Sequence, residues 1–238
     1  MGICLLVAAL SAAMVFGLWY PYPYRDLAGG RELFFLVISV DVVCGPLLTL
    51  VLFTPTKPLA ELRRDLALVV LIQLAALGYG LWTVWQARPL FLVAELDRFK
   101  VIALPDLRGA ALDGLPAGLR PHLLAGPTVV AIRAPKDLQE KHRVLMESIN
   151  GGPDFGERPD FYLPYVGADA RKSLDRAKQI APFLAKYPDR RTEAQAIAAQ
   201  TGTPLTELRF FPVVARQDWI AVLDSQGMIV GFLPGDGF

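Results

Sequence analysis

One carboxylate, Asp41, lies within the apolar run Leu33–Phe53, LFFLVISVDVVCGPLLTLVLF. An acid near the middle of a membrane-spanning helix is costly, so it faces a helix partner, a cavity or a ligand. Three roles are open to it: a polar clasp between helices, a docking point for a partner, or proton or ion transfer. Transfer is disfavoured, because the apolar runs carry no relay of further ionisable groups. Outside these runs, His122 and His142 stand in neither HExxH nor a Cys/His cluster. Ser148, Ser173 and Ser225 lack a GxSxG context. The acids Glu140, Glu147, Asp154 and Glu157 read as a solvated helix face and loop unless folding pairs them. No catalytic, metal-ligating or cofactor-binding residue is assigned, and no cofactor is expected.

The elements that hold Asp41 follow from composition. Of 238 residues, 53% are hydrophobic, and the net charge is +1. With a mean hydropathy of +0.38, this balance points to a membrane and away from nucleic acid. Apolar runs at Ile3–Trp19, Leu33–Phe53 and Leu66–Trp85 compare with the roughly 20 residues that cross about 30 Å of hydrocarbon. The expected fold is therefore three N-terminal transmembrane α-helices, residues 1–88, followed by a soluble α+β domain with an antiparallel sheet, residues 89–238. The first run is short and resembles a signal peptide's apolar region, but it is read as an uncleaved helix. Trp19, Tyr20, Tyr22 and Tyr24 after the first run, and Trp82 and Trp85 in the third, are expected as aromatic anchors on one membrane face. Lys57, Arg63 and Arg64 bias the second loop to the cytoplasm. That places the domain outside, which in a bacterial inner membrane means the periplasm. Cys4 and Cys44 fall in apolar runs, so the domain has no disulfide.

Depth then selects neighbours for Asp41, at about 1.5 Å per residue. Ser11 and Tyr79 are the expected partners, with Gln73 bracketing the same level. Pro46 follows one turn later and is expected to kink the helix.

Beyond Pro89 the period changes to two, predicting a hairpin from Leu90–Glu95 and Phe99–Ala103. A strand is expected at Thr128–Arg133, then a helix from Pro135 with the stripe Leu138, Val144, Leu145 and Ile149. Gly151–Gly167 reads as a loop whose Phe155, Phe161, Tyr162 and Tyr165 either form a binding surface or cover the core. Helices over Ala168–Tyr187 and Thr192–Thr201, the second with a Thr192/Gln195 capping box, precede strands at Leu208–Ala215, Trp219–Leu223 and Met228–Leu233.

The stretches WYPYPYRDLAGGRELFFLVISVDVVCGPLLTLVLF and KPLAELRRDLALVVLIQLAALGYGLWTVWQARPLFLVAELDRFKV resemble type IV pilin accessory proteins of the TfpX/TfpZ type. The resemblance covers about Trp19–Val101. It implies a non-enzymatic, chaperone-like inner-membrane protein whose partners are the lipid bilayer, a specific major type IV pilin and the pilus assembly machinery. Two alternatives are a membrane-anchored periplasmic enzyme acting on pilin or envelope material, and a sensor or scaffold subunit. For Asp41→Asn, the clasp role predicts mildly reduced protein abundance. The docking role predicts normal abundance with pilin association lost. Immunoblotting with co-purification separates them, and an unchanged result in both readouts defeats both.

Overall fold

The computed structural model describes residues 2–52, 58–110, 112–122 and 125–238, apart from the side chains of residues 2–5, 40–42, 44–46, 48–52 and 59. Helix α1 (Gly2–Met14) continues into a π-helical turn at Val15–Trp19. A short α2 (Tyr24–Leu27) leads to α3 (Gly30–Leu52) and α4 (Leu59–Gln86). The expectation of three spanning helices is corrected here. Among the described residues, Ala60–Gln86 is the one helix long and apolar enough to cross a membrane, with a shorter apolar helix at Leu6–Trp19. The described apolar stretch Leu6–Trp19 is shorter than the roughly 20 residues a span needs.

The second correction concerns the sheet, which is mixed. Strands β1 (Pro89–Ala94) and β2 (Phe99–Ala103) form the expected antiparallel hairpin. They are followed by β3 (Thr128–Ile132), β4 (Tyr162–Pro164), the two-residue β5 (Lys178–Gln179), β6 (Arg209–Val214), β7 (Trp219–Leu223) and β8 (Ile229–Pro234). The order is β4-β3-β1-β2-β6-β7-β8, with β5 also on β6. Strand β3 lies parallel to β1, and β6 parallel to β2. An all-antiparallel meander would seat β3 beside β2; instead β6 takes that edge, and β3 pairs on the far side of β1 in the same direction. Period-two patterning identifies a strand but not its neighbour.

The hairpin is buried on both faces, which is why β1 reads as an unbroken apolar run. One core gathers Leu92, Phe99, Phe211, Trp219 and Leu223. The opposite core gathers Leu90, Phe91, Val93, Ile102 and Leu119. A register irregularity between Pro89 and Phe91 allows the consecutive Leu90 and Phe91 to enter the same core. A third cluster joins Phe183, Leu184 and Ala194 to Phe210, Ile220 and Leu233.

Between these strands the helices depart from expectation at identifiable residues. Helix α5 (Leu138–Ile149) starts after Asp137, whose carboxylate accepts from the Glu140 amide, and buries Val144 but leaves Leu138 and Ile149 exposed. The single helix expected over Ala168–Tyr187 is split into α6 (Ala168–Arg176), β5 and α7 (Ile180–Lys186). Pro182 explains the split: its ring clashes with a carbonyl four residues back in a continuous helix but fits a first turn. Helix α8 (Arg191–Thr201) absorbs Thr192, so no capping box forms there, and Gly202 stops it at φ 67°. The last hairpin turns on Asp224, whose carboxylate accepts from the Gln226 and Met228 amides.

Phe99 is wholly buried, its ring 5.6 Å from Tyr165 and 5.8 Å from Phe211. Phe99→Ala is expected to cost roughly 3–5 kcal/mol. Chemical unfolding of the detergent-solubilised chain measures it.

Candidate functional site

The residues that join the helical part to the sheet lie in Tyr20–Gly30. Tyr20 is buried among Val15, Trp19, Phe34 and Val84, and its hydroxyl donates to the Val84 carbonyl at 3.2 Å. Gly30 starts α3 directly against the Tyr20 ring, where a Cβ would collide. Gly29 turns the chain at φ 73°, and a Cβ there would lie 2.5 Å from Arg216 Cδ. Tyr24 and Leu27 leave the helices and enter the sheet core. Tyr24 meets Phe232 at 6.1 Å between ring centroids, and Tyr22 meets Trp219 at 6.4 Å. The aromatic residues expected as lipid anchors thus divide their duties: Tyr20 packs in the bundle and Tyr24 in the domain.

Polar contacts hold the same junction. The Gln217 amide donates to Leu27 O at 3.1 Å, and its side chain donates to Glu32 at 3.2 Å. Arg216 pairs with Glu32 at 3.0 Å, and Arg31 with Asp26 at 2.9 Å. The Arg216 and Glu32 side chains are 62% and 54% exposed, so their pair contributes about 1 kcal/mol or less. Burial of Tyr20, Tyr24 and Leu27, at roughly 1.5–3 kcal/mol for a fully buried large side chain, dominates. On the other side of the junction Arg88 is buried, lies 4.4 Å over the Trp85 ring and donates to Trp85 O. Burial lowers its pKa from the usual guanidinium value, opposed by Tyr20. No sequence pattern points to Arg216, Gln217 or Glu32; the signal of a constrained turn is the Gly29-Gly30 pair.

Of the residues expected around Asp41, Ser11 is buried and Gln73 half-buried. Tyr79 is 69% exposed, its ring 5.9 Å from Trp82. The Asp41 and Pro46 side chains, and with them the expected Asp41 contacts, lie outside the described residues. Gly80 admits Val37 of α3 against α4, whereas Gly78 faces open space.

The aromatic loop turns mostly inward. Phe161 is fully buried, edge-on to the half-buried Phe155 at 5.3 Å and covered by the Arg133 guanidinium at 3.9 Å. Tyr162 and Tyr165 donate to the carbonyls of Gly156 and Gly227, each at 2.7 Å. Burial raises the pKa of both phenols. The nearby acids are held separately: Glu140 by Arg133 at 2.8 Å, Glu157 by Lys100 at 2.8 Å and Glu147 by Arg158. The Arg133 hydrogen bond, with the Lys136 amide, holds Glu140 down to about 2. His122 and His142 are exposed, and among the described residues no three His, Cys, Asp or Glu side chains gather as a metal site.

An apolar helix of membrane-spanning length, Ala60–Gln86, is joined to a mixed-sheet domain, an arrangement consistent with membrane anchoring. The fimbrial assembly protein FimB family matches residues 1–29. The chain is 33% identical to the fimbrial assembly protein of serogroup I from Dichelobacter nodosus, over 98% of this chain and 91% of the relative. It is 32% identical to the serogroup E1 protein over the same shares. With the protein of serogroups C1 and C2 it shares 45% identity over 112 residues, 47% of this chain and 83% of the relative. No solved structure matches. The chain belongs to this family of fimbrial assembly proteins, in agreement with its resemblance to type IV pilin accessory proteins.

Gly30→Ala is expected to displace Tyr20 and to destabilise the chain by about 1–3 kcal/mol. Limited proteolysis should then cut within residues 20–30, where the parent resists.

Proposed function

We propose that this protein is a non-enzymatic, chaperone-like accessory factor that engages one major pilin in the membrane and assists its assembly into type IV fimbriae. The near full-length relationship to fimbrial assembly proteins carries this reading. The junction supports it physically. A subunit awaiting assembly has an apolar helix in the bilayer and a globular head outside it, and a factor serving both needs a helical surface held in fixed relation to a soluble one. Tyr20 in the helical core and Tyr24 and Leu27 in the sheet core, only a few residues apart in the chain, provide that fixed relation. The exposed apolar side chains Leu68, Leu71, Leu74 and Trp82 on α4 offer contact to lipid or to a pilin helix. Gly78 permits close approach on the same helix. In this reading the domain after Pro89 lies in the periplasm of the inner membrane, where pilin heads are displayed, and the pilus assembly machinery is within reach.

Deletion of the gene should lower pilin level or surface piliation several-fold, measured by immunoblot of whole-cell and sheared fractions, and complementation should restore it. Unchanged pilin and unchanged piliation would overturn the proposal.

A further inference from the structure

A cleft of about 560 Å³ opens where β1 and β3 end, between the hairpin turn at Ala94–Arg98, the segment entering α5, and α6. Its origin is topological. Strands β1 and β3 are parallel neighbours, but the chain leaving β1 turns into β2 while the chain leaving β3 turns the other way into α5. The diverging connections leave a crevice at the carboxyl ends of the strands, the general position of binding sites in parallel sheets. Ala94, Ala131 and Phe155 give it an apolar lining.

The charges around this lining are unevenly satisfied. Arg98 pairs with Asp97 at 2.7 Å, Lys172 with Asp169 at 3.0 Å and Arg133 with Glu140 at 2.8 Å. Lys141 from α5 and Arg176 from α6 also line the cleft, and neither has an acid partner among the described residues. Of the two lining acids left over, Asp154 is engaged locally, and Glu95 keeps one buried oxygen, Oε1, without a hydrogen-bond partner among the described residues. Asp154 accepts from the Phe155 amide at 2.8 Å. Glu95 lies against Gly156 and pairs with Arg98 at 3.8 Å. Lys141 further borders the outer face of α5, where Leu138 and Leu145 are exposed beside it.

We infer that this cleft binds an extended acidic peptide segment of a partner protein, with a carboxylate side chain between Lys141 and Arg176 and a neighbouring apolar side chain over Phe155. Charge-assisted hydrogen bonds from two cations on different elements fix the carboxylate. The continuation along Leu138 and Leu145 suits a chain that runs on past the cleft, where an enclosed small molecule would leave that strip unused. The pilin head as source of the segment rests on the function proposed above; the cleft chemistry does not.

The test uses the full chain in detergent against two arrays: random decapeptides, and overlapping peptides spanning the cognate pilin head. The random array should select peptides pairing Asp or Glu with an apolar neighbour, and replacing that acid by its amide should abolish the signal. Lys141→Glu and Arg176→Glu should each weaken binding at least about tenfold, with circular dichroism unchanged, while Arg191→Glu on α8, outside the cleft, should not. Acidic peptides selected from the random array but none from pilin would support the cleft and remove pilin as the source. Pilin co-purifying undiminished with the Lys141→Glu/Arg176→Glu double variant would remove pilin as the cleft's ligand and leave the pilin reading standing, whereas undiminished binding of the selected acidic peptides by that variant would overturn the cleft. No acid-dependent peptide on the random array would overturn the cleft outright. Should the reversals misfold, Lys141→Gln and Arg176→Gln replace them, and full retention of peptide binding by both would overturn it equally.

Discussion

Everything in this structure depends on a segment of about ten residues that belongs to two cores at once. Tyr20 is buried among the helices, and Tyr24 and Leu27 are buried in the sheet. Between these positions the chain has no freedom to act as a linker, because its side chains are the packing material on both sides. Glycines at positions 29 and 30 are the condition for that compactness: one adopts a positive φ beside Arg216, and the other abuts the Tyr20 ring. The exposed Arg216–Glu32 pair and the Gln217 hydrogen bonds orient the junction, while apolar burial supplies its energy.

The junction fixes the helical part against the sheet domain. A contact on α4 and a contact on the domain cannot reorient independently without exposing Tyr24 or Leu27. The mixed sheet contributes in its own way. Parallel pairing of β1 with β3 sends their connections apart at the end of the sheet opposite the Arg88 junction, so the domain has a concave face there. An antiparallel meander closes that end with tight turns and offers no such face.

Much of the secondary structure was legible in residue patterns. The Leu90–Ala103 hairpin, the strands at Thr128, Trp219 and Met228, and the α8 stop at Gly202 arise from period-two runs and turn chemistry, and the structure contains them. The split of α6 from α7 was legible too, in Pro182, but the amphipathic spacing on either side masks a proline three residues into the second helix. The apolar stripe of α5 misled for a different reason. Helical periodicity identifies an apolar face, not what lies against it, and here Leu138 and Ile149 face outward while Val144 alone is buried. The aromatic loop was ambiguous in the same sense, since Phe161, Tyr162 and Tyr165 satisfy either role until hydrogen-bond partners for the phenols are known.

Sequence by itself determined the apolar helical N-terminus, the α+β character of the chain beyond Pro89 and, through Trp19–Val101, the kinship with pilus accessory proteins. Those properties are written in local composition and short motifs, which do not require knowing which segments meet. Tertiary structure alone decided that β3 and β6 pair in parallel, that Tyr20 and Tyr24 serve different cores, and that Lys141 and Arg176 share a cleft without acid partners among the described residues. Each of these depends on contacts between residues distant in the chain. Strand order and charge pairing at that range are set by competition among all segments for the same edges and partners, which no local pattern records.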